Sequence, residues 1–222
     1  TFVDQGAGGV EVYAGSKAKL GLTVRGCTFR GGRAGITVLG ALGGDVELAV
    51  EDSTFHALRK YAPRDMLGTG IDVYLAPLSA IRATVRRNRF GGVASAVQLT
   101  EAEEDMARQP SGGTLDVVVA NALVSGRVDP GQANDPAQVE MARVLNGVYL
   151  NLWPHHSNKV SILNNTFVGI DRHVVVHDNL LKLAEDGLDA PPCAFVNNIV
   201  RGIGSGSEFD DELFSYLDDE PG

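Results

Sequence analysis

The sequence has only two cysteines, no apolar stretch long enough for a membrane-spanning helix, and no excess of basic residues. Each absence excludes something. Cys27 and Cys193 fall in the first and last units of the repeat set out below, with four units between them. At ~4.8 Å per stacked strand the two thiols stand roughly 20 Å from one another, beyond the ~7 Å Cα limit of a disulfide. No bridge within one chain is expected, and both are read as small buried thiols. A spanning helix needs about 18 or more consecutive apolar residues, and none is present, so no membrane span is expected. A nucleic-acid face needs a basic stripe. Here 19 Lys and Arg stand against 28 Asp and Glu, a formal charge of -9.

That charge is unevenly placed. Glu208, Asp210, Asp211, Glu212, Asp218, Asp219 and Glu220 lie between Gly204 and Gly222, where there is no Lys or Arg, which leaves 28 − 7 = 21 acids against 19 bases in residues 1–203. Residues 1–203 are therefore a nearly neutral body, and 204–222 form an acidic C-terminal segment. Ser205-x-x-Glu208 has the form of a helix capping box, followed by Phe209, Leu213, Phe214 and Leu217 at helical spacing. The segment is read as either a short amphipathic helix over the last turn or a solvated acidic tail.

What the sequence does have is a repeat. Short apolar strands run into Cys27-Thr28-Phe29, Ser53-Thr54-Phe55, Asn88-Arg89-Phe90, Ala122-Leu123-Val124, Asn165-Thr166-Phe167 and Asn198-Ile199-Val200, and Thr1-Phe2 matches the end of a further unit. From Phe2 onward the aligned positions are 27, 26, 35, 34, 43 and 33 residues apart. Insertions at 56–69, 101–113, 125–146 and 178–192 account for the longer spacings without disturbing the strand pattern. Each unit holds an alternating strand before this column, a very short strand around the Phe or Val, and a third strand after it. Three strands per unit with no helical periodicity predict parallel stacking of each strand on its equivalent one turn away. The expected fold is all-β, a right-handed parallel β-helix solenoid of six to seven turns.

The Asn-x-Phe or Asn-x-Val steps at Asn88, Asn165 and Asn198, with the strands Gly35-Ile36-Thr37-Val38 and Gly70-Ile71-Asp72-Val73, resemble the parallel β-helix of the pectate-lyase-like superfamily. The resemblance covers residues 1 to about 203 and is specific for fold. Cys27, Ser53 and Ala122 depart from its Asn position, so an interrupted asparagine ladder is expected. The resemblance also implies an extracellular or cell-surface protein, and a substrate groove on the outer face of the third strand of each unit.

Strand alternation places two outward columns on that face: Glu11, Thr37, Asp72, Gln98, Tyr149, Val175, and Tyr13, Leu39, Tyr74, Thr100, Asn151, His177. Tyr74, Tyr149 and Trp153 offer flat amphipathic rings for sugars, and Gln98 and Asn151 offer hydrogen-bonding groups for hydroxyls. These five are the candidate substrate-binding residues. Asp72 and His177 are the candidate catalytic residues, but Asp72 has no second acid on adjacent turns to complete the carboxylate pair of a glycosidase. Arg59, Lys60 and Arg64 are loop bases that a lyase could use. Asp171, His173 and His177, with His155 and His156 on the neighbouring loop, have the residue types of a metal cluster. Two strand positions four apart are ~13 Å apart, so no metal site is expected. Glu101, Glu103, Glu104 and Asp105 form the one run suited to calcium, without a known calcium-loop pattern; no cofactor is otherwise expected.

Two functions follow as expectations. One is a non-catalytic, structural or adhesive module of a secreted or surface protein with a glycan-binding face. The alternative is a carbohydrate-active enzyme, a polysaccharide lyase or glycoside hydrolase, working on the same face. Because the sequence begins part-way through a unit, an open first turn that stacks end to end on another copy or domain is also expected.

Overall fold

Parallel strands stack in register along three sheets, and the chain passes from one sheet to the next within every turn. The computed structural model describes residues 1–3, 8–40, 43–58, 68–76, 78–101, 113–126, 144–152, 157–177, 192–203 and 214–215. Sheet I contains Phe2–Val3, Thr28–Arg30, Thr54–His56, Arg89–Gly91, Leu123–Ser125, Thr166–Ile170 and Ile199–Ile203. Sheet II contains Gly8–Ala14, Ala34–Gly40, Thr69–Leu75, Val93–Glu101, Val144–Asn151, His173–His177 and Phe214–Ser215. Sheet III contains Lys19–Arg25, Asp45–Glu51, Ala80–Arg86, Thr114–Ala120, Ser157–Leu163 and Cys193–Val196. The protein is a parallel β-helix, and there is no helix among the described residues.

The repeat column of the sequence is the register of sheet I. Phe2 pairs with Phe29, Phe29 with Phe55, Phe55 with Phe90, Phe90 with Val124, Val124 with Phe167 and Phe167 with Val200. The first four rings stack with centroids 4.8 Å apart and planes within 10°. Val124 ends the stack, and Phe167 instead meets Phe195 of sheet III at 6.1 Å. These rings and the inward Val, Ile and Leu of all three sheets make one continuous core.

Glycines of sheet II seat the rings. A Cβ on Gly9 would lie 2.6 Å from the Phe29 ring, one on Gly70 2.8 Å from Phe90, and one on Gly147 2.7 Å from Phe167. Gly35 stands in the same relation to Phe55. In register with these glycines are Ala96 and Val174, and the turns that follow them carry Val124 and Val200 rather than Phe. Side-chain volume is thus exchanged between neighbouring turns, with Gly beneath Phe and Ala or Val beneath Val, which keeps the interior filled at constant strand spacing.

The bend between sheets III and I carries the ladder. Asn198 Oδ1 accepts from the Asn165 backbone N–H at 2.8 Å and from Asn165 Nδ2 at 3.0 Å. Asn165 Oδ1 accepts from the Ala122 N–H at 2.8 Å, Asn88 Oδ1 from the Ser53 N–H at 2.9 Å, and Ser53 Oγ from the Cys27 N–H at 3.1 Å. The ladder is interrupted as expected at Ala122, which has no side-chain polar group to pass on. Its main work is to satisfy the backbone of the turn below, which bulk water cannot reach.

Residues just before the ladder adopt positive φ: Gly26, Asp52, Arg87, Asn121, Asn164 and Asn197 lie between 52° and 63°. Gly, Asn and Asp suit that region, and Arg87 is the exception. Its guanidinium grips Asp52 at 2.7 and 3.0 Å and Glu51 at 3.3 Å, and Arg25 reaches Asp52 at 3.3 Å. The Arg87 hydrogen bond, aided by Arg25, holds the Asp52 carboxyl down at about 2.

A second positive-φ column leaves sheet I at Gly31, Ala57, Gly92, Gly169 and Gly202. Ala57, at 51°, is the one residue there with a Cβ. The left-handed region costs a Cβ-bearing residue about 1–2 kcal/mol, which outweighs the entropy of an added glycine, about 0.4–1 kcal/mol. Ala57→Gly should therefore raise stability by about 0.5 kcal/mol, read as a higher denaturation midpoint. Ala83→Gly, within a strand, should lower it by about 0.5–1 kcal/mol.

Three expectations change. The two described residues of the expected capping helix, Phe214 and Ser215, are extended and pair with Val175 and Val176, because the sheet II strand beside them offers open backbone groups. Ser205, Glu208, Phe209, Leu213 and Leu217 lie outside the described residues. Cys27 is half-buried and Cys193 exposed rather than both buried, and both are free thiols. In the last complete turn of sheet II, Val175 rather than Val174 pairs with Val148.

Candidate functional site

The outer face of sheet II is built by alternation along three consecutive strands. Asp72 pairs with Gln98 and Gln98 with Tyr149 in one column; Tyr74 pairs with Thr100 and Thr100 with Asn151 in the next. Alternate residues of these strands face the core as Ile71, Val73, Val97, Leu99, Val148 and Leu150, all at most 1% exposed. That apolar anchoring leaves the other six side chains no choice of face. Neighbouring members of a column are ~4.8 Å apart and the two columns ~6.6 Å apart, so the six cover a patch of roughly 10 by 7 Å.

All six are half-buried. Tyr13, two turns below Tyr74, is by contrast 70% exposed. Gln98 Nε2 donates to Thr100 Oγ1 at 3.4 Å, tying the columns together. Asn151 Oδ1 is shielded from solvent and accepts no hydrogen bond from the described residues. Five of the sequence's candidates, Asp72, Tyr74, Gln98, Tyr149 and Asn151, are thus brought together. Trp153 lies outside the described residues, as do Arg59, Lys60, Arg64, His155 and His156.

His177 is not on this face. It pairs with Leu150, in the inward column of Val12, Val38, Val73 and Leu99, and is 8% exposed. The cause is one residue. Ile36 follows Phe29 by seven positions and Val97 follows Phe90 by seven, but Val175 follows Phe167 by eight. The extra residue sits where the Asp171 and Arg172 N–H groups bond Val144 and Leu145 carbonyls at 2.8 and 3.0 Å. A slip of one residue exchanges the two faces of a strand. Val176 therefore replaces Val175 in the outward column, and His177 turns in. His173 is half-buried and in register with Asn146.

Sequence reading also misplaced Glu101. It continues the inward alternation Val97-x-Leu99-x-Glu101, pairs with Leu75 and is 1% exposed. Asn158, inward on sheet III in register with Leu115 and 4% exposed, donates to Glu101 Oε1 at 2.6 Å. A bond of this length gives a partner to a polar side chain that burial would otherwise penalise. Period-two alternation alone would have found both residues. Of the acidic run, Glu101 faces inward in this bond, and Glu103, Glu104 and Asp105 lie outside the described residues. No group of three or more His, Cys, Asp or Glu able to hold a metal ion is found among the described residues.

A notch of about 230 Å³ lies on a different sheet, where Gly21 leaves a gap among Lys19, Asp45, Glu47 and Arg82 on sheet III. It has no aromatic wall and owes its volume to one missing side chain, so the sheet II patch is the better built of the two. Comparison of the chain with family models, with curated proteins and with solved structures gives no match.

Proposed function

We propose that the outer face of sheet II is a glycan-binding surface on a rigid, non-catalytic β-helix related in kind to the pectate-lyase-like proteins, in a secreted or cell-surface setting. One observation carries this reading. Two tyrosines, two amides, a carboxylate and a threonine are held in register over three turns, each half-buried on a flat apolar base. Aromatic rings stack on sugar faces while polar tips exchange hydrogen bonds with hydroxyls. The shielded Asn151 Oδ1 is an acceptor that a hydroxyl donor would satisfy. The strands fix these groups before binding, which removes much of the ordering cost of a weak ligand.

The patch contributes one carboxylate, Asp72, whereas glycoside hydrolysis uses two, ~5 to 9.5 Å apart. A glycan array and a polysaccharide-degradation panel on one preparation test the reading. The expected result is retention of an oligosaccharide without cleavage, weakened about tenfold or more by Tyr149→Ala, with an unchanged circular dichroism spectrum. Binding indifferent to Tyr149→Ala would move the site elsewhere. Cleavage lost in Asp72→Ala would make the protein an enzyme and end the non-catalytic reading.

A further inference from the structure

Sheet III presents a different kind of surface. Its central outward column reads Gly21, Glu47, Arg82, Asp116 and Lys159, each in register with the next. The charge alternates in sign over four consecutive turns, and all four charged side chains are exposed. None of the four makes an ion pair within 4 Å among the described residues. Arg25, Glu51, Asp52 and Arg87 at the edge of the same sheet behave differently and pair among themselves. Beside the charged column stand small or short residues. Asp45, Ala80, Thr114 and Ser157 lie on one side, and Ala49, Thr84, Val118 and Ser161 on the other; the two-fold described below sets Asp45 opposite Ser157.

An alternating column of even length is complementary to its own reverse. We infer that sheet III is a docking face for a second copy of this chain, related by a two-fold axis along the strands between Ala80–Arg86 and Thr114–Ala120. That operation reverses the order of the turns and keeps each column opposite itself. Arg82 then faces the second copy's Asp116, and Glu47 faces its Lys159, each pair occurring twice by symmetry. Ala80 meets Thr114, Ala49 meets Ser161 and Thr84 meets Val118, so the flanks are small enough for the sheets to approach the ~10 Å of face-to-face packing. No like charges are opposed. The other face-to-face arrangement, with the axis along the solenoid, sets every charge against its own copy and is repelled.

The size of the face sets the strength. Seven residues by four strands cover about 23 by 19 Å, roughly 440 Å² per partner, about half of the ~800 Å² per partner in a standard stable complex. The dimer is therefore weak, steered by charge and sensitive to salt. It leaves sheet II open, so it is independent of the glycan-binding reading.

Sedimentation velocity of the full chain at about 20 mM and about 0.5 M salt tests this, since the Debye length falls several-fold between them. The expected result is a monomer–dimer equilibrium at low salt that shifts to monomer at high salt. Arg82→Glu and Asp116→Arg should each weaken it at least tenfold. Mixing the two variants should restore a heterodimer, because the substituted position 82 of one chain then faces the substituted position 116 of the other as an opposite pair, and the second contact is the native pair of Asp116 with Arg82. The Arg82→Glu/Asp116→Arg double variant should also dimerise, although it places like charges side by side within each chain. Cross-strand attraction within one chain, the competing account of the alternation, predicts no recovery on mixing and a double variant no better than either single, because all three leave two like-charge neighbours in the column. A monomer at low salt, or a dimer indifferent to Arg82→Glu, overturns the inference.

Discussion

Gly35→Ala is expected to lower stability by about 3 kcal/mol, at the top of the range for overpacked cores. The added methyl would fall 2.5 Å from Phe55 Cε1, closer still to Cδ1, and 2.7 Å from the Gly70 carbonyl oxygen. Phe55 is fully buried and stacked between Phe29 and Phe90, so the ring cannot swing away, and the carbonyl belongs to a strand held on both sides. Phe55→Val alone should cost about 2 kcal/mol through the space it leaves. The double variant should cost less than the sum of the singles by about 1 kcal/mol or more, because a smaller side chain admits the methyl. Recovery stays partial, since the carbonyl contact remains. Denaturant unfolding of the four proteins measures the cycle, and strict additivity would show that ring and glycine do not press on one another.

The second large effect is expected at Asn165. Its side chain is fully buried, accepts from the Ala122 N–H at 2.8 Å and donates to the Val119 carbonyl at 3.0 Å and to Asn198 Oδ1 at 3.0 Å. Asn165→Ala strips partners from an N–H and a carbonyl that water reaches poorly, each worth about 1–3 kcal/mol when left unmade. A loss of about 3 kcal/mol is expected, with faster hydrogen exchange at the Ala122 amide. Asn198 is only half-buried, and solvent can replace part of what its side chain supplies, so Asn198→Ala should cost roughly half as much. Equal losses at the two positions would mean that burial is not what makes the ladder matter.

The fold was legible because its signal is repeated. Each Phe or Val of the sheet I column was identified from local spacing, and the interrupted ladder followed from which units carry Asn. Several features were equally present in the sequence and went unread. The Gly9, Gly35, Gly70 and Gly147 column, with Ala96 and Val174 opposite the Val turns, required comparing adjacent units rather than aligning them. Ala57 occupies a position where Gly31, Gly92, Gly169 and Gly202 are found with the same positive φ, which marks a conformational requirement.

The candidate site was legible where the apolar alternation of a strand sets its own face and failed where the face was counted on from the Phe column. Asp72, Tyr74, Gln98, Tyr149 and Asn151 follow from alternation within strands whose starts are fixed by their partners. His177 failed because the eight-residue step from Phe167 to Val175 replaced the seven-residue step seen at Phe29 and Phe90, and periodicity has no memory of such an insertion once counting is local. Glu101 failed for a chemical reason. A carboxylate next to other acids reads as solvated, although the alternation from Val97 and Leu99 points it inward, where its partner Asn158 lies 57 residues away in sequence.

The matching of glycine to ring across neighbouring turns bears on how such a chain can lengthen or shorten over its history. Removing the whole turn that contains Phe55 and Gly70 would bring Gly35 beneath Phe90, an acceptable neighbour. Removing the turn that contains Val124 and Gly147 would bring Ala96 beneath Phe167, an unacceptable one. Copies of the repeat are therefore not interchangeable tiles. Each carries a socket for the next and a plug for the last, and recombination between units is tolerated only where plug and socket still agree.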